Sequence, residues 1–406
     1  MFLSAIFCTI LIWQLYKTVS FQRKLLVIGA LCFYLILTFG DLVYLDHIYN
    51  RAFHFSDPGD YYDKTKHLLF FQVVHFDGTN TFYPIINWIY NHLYENPWFV
   101  SGLLKIANIL VFLSAYAILT KKIEKINYID FLILLNPFLL MIIIRNVRDM
   151  YILFFVVLIL VGFGVVPGNR LSKPWTLIGL IGLATIRPVL LFPVLCVWWV
   201  KNRHIFSKLT QLLFYSIVIA VTISQFHTII RILGNQMISA LDYINEDVEA
   251  FLPLLEGNLS PQVLIQSVSR IFIGLISFVF TPHPVNFFSE WQTTMDINGT
   301  TIIYTGLDNL LIVLGSIVNY LMVLPILVAC AMNYKRLNQS LLLYISLYAI
   351  IYVTMFMGIT DIRNRYPVIF LGLFMFQIAQ LPIKIRPLHY GITLCIGIGL
   401  MLLKSS

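Results

Sequence analysis

Apolar runs separated by short polar turns extend along this chain at residues 2–16, 25–45, 99–119, 127–144, 149–166, 209–230, 306–331, 340–358, 365–381 and 388–403. Each is long enough, or nearly so, to cross the ~30 Å hydrocarbon core of a bilayer as a helix. The pattern predicts an all-α polytopic integral membrane protein with about 11–12 transmembrane helices, because in lipid every backbone polar group must be satisfied within its own segment. The run from Phe2 to Tyr16 has no basic segment before it and no small-residue cleavage site, so it reads as a first span rather than a removable signal.

Two runs call for other arrangements. The stretch 175–200 is too long for one untilted helix and carries Arg187-Pro188 at its middle, where a lone charge in lipid is expensive and proline interrupts the helix. Arg170 and Lys173 flank one end, and Lys201, Arg203 and Lys208 the other. The stretch therefore reads as a hairpin of two short helices, each of about 12 residues and roughly 18 Å, with Arg187 in a recess at the turn. The run Val263–Phe280 contains Arg270 and is followed by no basic cluster, so it reads as re-entrant or interfacial.

Basic residues supply the orientation. Clusters at Lys17/Arg23/Lys24, Lys121/Lys122/Lys125, Arg170/Lys173, Lys201/Arg203/Lys208, Lys335/Arg336 and Lys384/Arg386 account for fifteen of the 27 lysines and arginines, all assigned to the cytoplasmic side. Of the 19 acidic residues only Glu124 and Asp130 fall on or near that side. Two long loops then face outward, at about 46–98 and 232–305, each with an amphipathic stretch suited to the headgroup layer, Phe82–Leu93 and Ile238–Leu255. No linker or repeat divides the chain, so residues 1–406 read as a single transmembrane domain.

Composition narrows the function classes. Hydrophobic residues make up 59% and charged residues 11%, well below the ~25% charge of soluble domains. The net charge of +8 lies in the orientation clusters and does not point to nucleic acid. All five cysteines sit inside apolar runs, without the spacing of a metal site, and His54, His75 and His283 lack ligand spacing as well. No metal or cofactor is expected, and no glycine-rich phosphate loop suggests an ATP-driven pump.

The informative cations are those that orientation does not explain. Arg145 and Arg148 stand between two apolar runs in Asn136-Pro137…Arg145-Asn146-Val147-Arg148-Asp149, Arg187 caps the hairpin, and Arg363 and Arg365 lie in Asp361-Ile362-Arg363-Asn364-Arg365-Tyr366-Pro367. Guanidinium forks at helix mouths suit a phosphate or diphosphate at headgroup depth, which they bind bidentately. The first outer loop carries Ser56-Asp57-Pro58-Gly59-Asp60-Tyr61, whose carboxylates could take a proton from an attacking hydroxyl or engage a sugar. Structural roles compete with each of these: turn chemistry for Asp57 and Asp60, helix-dipole stabilisation for Asp149, snorkelling for Arg145 and Arg148, and a local ion pair for Asp361 with Arg363.

Taken in order, Ser56, Asp57 and Tyr61, an amphipathic helix, Asn136-Pro137 followed by Arg148-Asp149, and Arg187-Pro188 in a short hairpin resemble bacterial polysaccharide polymerases of the Wzy and EpsG type. Arg363-Asn364-Arg365-Tyr366-Pro367-Val368 is similar to an element of the wider GT-C glycosyltransferases. One element departs from the EpsG pattern, since no histidine accompanies Arg187. The resemblance implies an enzyme of the bacterial cytoplasmic (inner) membrane that polymerises undecaprenyl-diphosphate-linked oligosaccharide repeats at the outer face. A chain-length regulator and a flippase of the same pathway are its implied partners. Asp57 or Asp60 is then the catalytic base, and Arg145, Arg148, Arg187, Arg363 and Arg365, with Arg270 and Tyr61, hold diphosphate and glycan. The rival readings are a GT-C transferase using a polyprenyl-phosphate monosaccharide, and a flippase of lipid-linked glycan, which is disfavoured by the lack of related halves.

Overall fold

The structure is a computed structural model that describes residues 21–54, 57–74, 82–123, 125–145, 148–166, 171, 173–213, 215–216, 276, 279–280, 294–295, 301–302, 306–355, 370–374 and 385–405. The described residues are overwhelmingly helical. The helices are α1 (Phe21–Tyr49), α2 (Asp57–Lys66), α3 (Phe70–Val74), α4 (Phe82–Leu93), α5 (Pro97–Thr120), α6 (Tyr128–Leu134), α7 (Pro137–Ile144), α8 (Asp149–Gly162), α9 (Lys173–Ile186), α10 (Leu191–Asn202), α11 (Gly306–Val318), α12 (Leu324–Met332), α13 (Gln339–Met355) and α14 (Pro387–Ser405). A two-residue antiparallel pairing, with Thr294 opposite Ile302, is the described β-structure. Three helical segments are long and apolar enough to cross a membrane: Phe21–Tyr49, Pro97–Thr120 and Leu310–Met332.

Burial on α1 follows helical spacing, with Arg23, Val27, Ala30, Tyr34, Thr38, Asp41 and Leu45 forming one covered stripe. Four of these seven are polar, whereas Ile36 and Phe39, on the opposite face, are each 70% exposed. Polar residues inside and aliphatic and aromatic ones outside reverse the surface of a water-soluble helix and match an apolar surrounding. The stripe packs against α5, which is buried on every side from Ala107 to Thr120 and also supports α8.

The run 127–144, expected as one uninterrupted span, is divided into α6 and α7. Pro137 offers no N–H to Ile133, and Asn136 turns its side-chain oxygen to the Phe138 N–H at 3.0 Å. The Leu134 carbonyl, thereby deprived of its usual partner, is taken up by the Tyr34 hydroxyl. The interruption thus has both a cause and a compensation.

Close backbone approach joins α8 to α9. A Cβ at Gly182 would stand 2.4 Å from the Phe155 ring, one at Gly179 2.8 Å from Ile159, and one at Gly162 1.9 Å from Thr176. Position rises on one helix as it falls on the other, so the two run antiparallel with small residues at the seam. A 3-10 turn at Pro188–Leu190 then leads into α10, whose Lys201 donates to the carbonyls of Phe163 and Gly164 beyond the end of α8. Because Thr176 and Lys201 meet the same segment, residues 162–164, α9 and α10 form the predicted short hairpin with Arg187 at its turn.

Polar contacts between loops define one end of the bundle. Asn338, between α12 and α13, donates to Val165 O at 2.6 Å, next to the Lys201 contact. Arg23 reaches the segment after α5, donating to Ile123 O at 2.5 Å and Lys125 O at 2.6 Å. It also pairs with Asp130 Oδ1 at 2.5 Å and donates to Tyr116 Oη at 2.7 Å, with both charged side chains 0% exposed. Orientation alone does not account for Arg23, because a cation kept only for topology would remain hydrated. This end, hereafter the basic end, carries Lys121, Lys122, Lys173 and Lys335; the turn between α7 and α8 and the Arg187 turn lie at the other.

The helix α11–α12 contains a π turn at Asn319–Val323, and Gly315 seats it on the Phe138 ring of α7. The segments 2–16 and 238–255, most of 263–280 and of 209–230, and residues 356–369 lie outside the described residues.

Candidate functional site

Opposite the basic end, three buried polar side chains meet from three parts of the sequence. Asp41 of α1 accepts from Lys105 Nζ of α5 at 2.6 Å and lies 2.9 Å from His54 Nε2, through the same oxygen, Oδ2. Lys105 also donates to the carbonyl of Ile144, the last residue of α7. None of the three belongs to the candidate site residues that the sequence suggests. Asp41 and Lys105 sit within the apolar runs 25–45 and 99–119, where an ionisable residue is by itself a signal of a buried partner. His54, which lacks metal-ligand spacing in the sequence, is 2% exposed.

Arg145 immediately follows Ile144, forms the C-cap of α7 and is fully buried. Arg148 precedes α8, and Asp149 lies in the first turn of that helix, where a carboxylate stabilises the exposed backbone N–H groups. Arg148 donates to the Tyr61 hydroxyl at 3.0 Å, across 87 residues of sequence. This bond joins the arginine turn to α2, the helix that begins at Asp57.

The segment expected as an acidic turn at Asp57–Asp60 is the first turn of that helix. Pro58 is tolerated there because first-turn N–H groups have no helical acceptor. A Cβ at Gly59 would stand 3.2 Å from the His54 carbonyl, so this turn lies directly against the residue that pairs with Asp41. The side chains of Asp57 and Asp60 are outside the described residues, as are Arg270, Arg363 and Arg365.

Helix α4, predicted as amphipathic over the same residues, holds α2 in place. Asn91 Nδ2 donates to Tyr62 O at 3.1 Å and to Thr65 Oγ1 at 2.9 Å, and Trp88 Nε1 donates to Leu68 O at 2.8 Å. Tyr62 stacks on Phe53 with centroids 4.5 Å apart. That burial, with the Asp63 carboxylate nearby, raises the Tyr62 phenol above its ordinary range and keeps it protonated. Tyr61 packs edge-on against Tyr83 at 5.3 Å, Tyr83 against Tyr151 at 6.0 Å, and Phe82 against Phe155 at 5.2 Å.

This aromatic series leads to Gly182 of α9, and hence toward Arg187. From Phe155 to Arg148 is seven residues of α8, about 10 Å; from Gly182 to Arg187 is five residues of α9, about 8 Å. The two helices are antiparallel, so the half-buried Arg187 and Arg148 stand within about one turn of the same height. Arg145, Arg148, Arg187 and Tyr61 are thus gathered at one end of the bundle with the backbone of the Asp57–Asp60 turn. Such an arrangement offers fixed cations to an oxyanion and places carboxyl-bearing backbone beside them. Comparison of the chain with protein-family models, curated proteins and solved structures finds no match.

Proposed function

We propose that the chain is a multi-pass glycosyltransferase of a bacterial cytoplasmic membrane, with about 11–12 spans, that polymerises undecaprenyl-diphosphate-linked oligosaccharide repeats at the extracytoplasmic face. The observation that carries the reading is the bond from Arg148 to Tyr61, because it brings the arginine turn to the acid-bearing helix. In the reaction, a hydroxyl at the nonreducing end of the incoming repeat attacks the anomeric carbon of the growing chain. The bond from that carbon to the carrier diphosphate breaks, and the diphosphate departs with the electron pair. Asp57 or Asp60 accepts the hydroxyl proton, while Arg145, Arg148 and Arg187 stabilise the charge on the leaving group.

The test is single replacement of Arg145, Arg148, Arg187 and Asp57 by alanine in the native host, with surface glycan resolved on gels and membrane protein level measured in parallel. Normal abundance with loss of the ladder and accumulation of a single-repeat species is expected. A complete loss of surface glycan, including the single repeat, would instead indicate a flippase. Wild-type ladders in all four variants would remove the site.

A further inference from the structure

We infer that Lys105 is a positioning residue that holds the arginine turn in its working place, an assignment that rests on the diphosphate role proposed above for Arg145 and Arg148. Its ammonium serves two acceptors, Asp41 Oδ2 at 2.6 Å and the Ile144 carbonyl. The last carbonyls of a helix have no partner within it, and the one used here belongs to the residue directly before Arg145. Asp41 meanwhile contacts His54, on which the first turn of α2 rests. One side chain on the central helix α5 therefore determines where α7 ends and, through Asp41 and His54, how α2 approaches.

Stability alone is a poor explanation for this arrangement. Lys105 and Asp41 are both 0% exposed, and a buried ion pair is commonly no more stable than apolar residues of similar volume. What apolar residues cannot provide is a donor aimed at one chosen carbonyl. Lysine suits the task because its compact head presents three donors, enough for a carboxylate and a carbonyl together. It makes no contact with the substrate in this assignment, and acts through the backbone that carries Arg145 and Arg148.

The test uses the full-length protein in lipid nanodiscs and compares wild type with Lys105→Met and with Lys105→Met/Asp41→Asn, which removes both charges and so leaves neither one stranded. Thermal midpoint, hydrogen exchange across residues 141–151, and calorimetric binding of farnesyl diphosphate are measured. The double variant is expected to melt near wild type, to exchange about tenfold faster around residues 145–148, and to bind the probe at least about tenfold more weakly. Unchanged exchange in a folded double variant would overturn the assignment, and so would faster exchange with unchanged binding. Failure of wild type to bind the probe would instead overturn the diphosphate reading; the exchange result separates that failure from failure of the clamp.

Discussion

Lys105 Nζ lies 2.6 Å from Asp41 Oδ2 in a place that neither side chain shares with solvent, so each charge depends on the other for its tolerance there. Removing one should strand its partner. Asp41→Ala is expected to destabilise the protein by about 3–5 kcal/mol, whereas Lys105→Met/Asp41→Asn should recover most of that loss. Thermal unfolding in detergent reads both, and an Asp41→Ala protein as stable as wild type would contradict the pairing.

A similar contrast applies at the basic end. Arg23 makes charge-assisted bonds to Asp130 and bonds to Tyr116 and two backbone carbonyls, whereas Lys121 and Lys122 are exposed. Arg23→Ala should cost about 3–5 kcal/mol, and Lys121→Ala/Lys122→Ala should stay within about 0.5 kcal/mol of wild type. Comparable melting temperatures for the two would show that Arg23 is only an orientation signal after all.

Tyr34→Phe removes a single hydroxyl and leaves the Leu134 carbonyl buried at the α6–α7 interruption. The expected loss is about 1–3 kcal/mol, the cost of an unsatisfied buried acceptor. Titration with a denaturing detergent would detect it as an earlier midpoint.

The glycines divide into two groups. Gly182→Ala drives a methyl to 2.4 Å from the Phe155 ring and should cost about 1–3 kcal/mol through overpacking, while Gly29, on α1, has open space around its position. Gly29→Ala should be neutral or stabilising by up to about 1 kcal/mol, since alanine is the better helix former. Opposite ranking of the two variants in a melting series would refute the α8–α9 seam.

Orientation is testable by labelling. In a cysteine-free background, Glu95→Cys at the α4–α5 junction should react with an impermeant thiol reagent added to intact spheroplasts. Lys122→Cys should react only after permeabilisation, because the two positions lie at opposite ends of α5.

The long described helices largely follow the hydrophobic runs, because composition alone separates apolar helical turns from polar loops. Phe82–Leu93 was predicted to the residue, and the Arg187-Pro188 break revealed a hairpin since proline and a mid-run charge point the same way. Asp41 and Lys105 were harder. Each is a single charge inside an otherwise apolar run, and their mutual compensation exists only once α1 and α5 are side by side. Arg23 was obscured for the opposite reason, since its neighbours Lys17 and Lys24 make a cluster that orientation already explains. The division at Leu135–Asn136 lies in an Asn-Pro pair visible in the sequence, but the Tyr34 hydroxyl that compensates it comes from another helix about 100 residues away.

The buried stripe of α1 is fastened at both ends. From Arg23 to Asp41 is eighteen residues, about 27 Å, nearly the thickness of a bilayer core. Sliding α1 along α5 by one turn, about 5.4 Å, would rupture both ion pairs together, and turning it would carry Tyr34, Thr38 and Asp41 toward the apolar surroundings. The α1–α5 pair therefore behaves as a fixed mast. Any displacement between helices is left to those rigged around it.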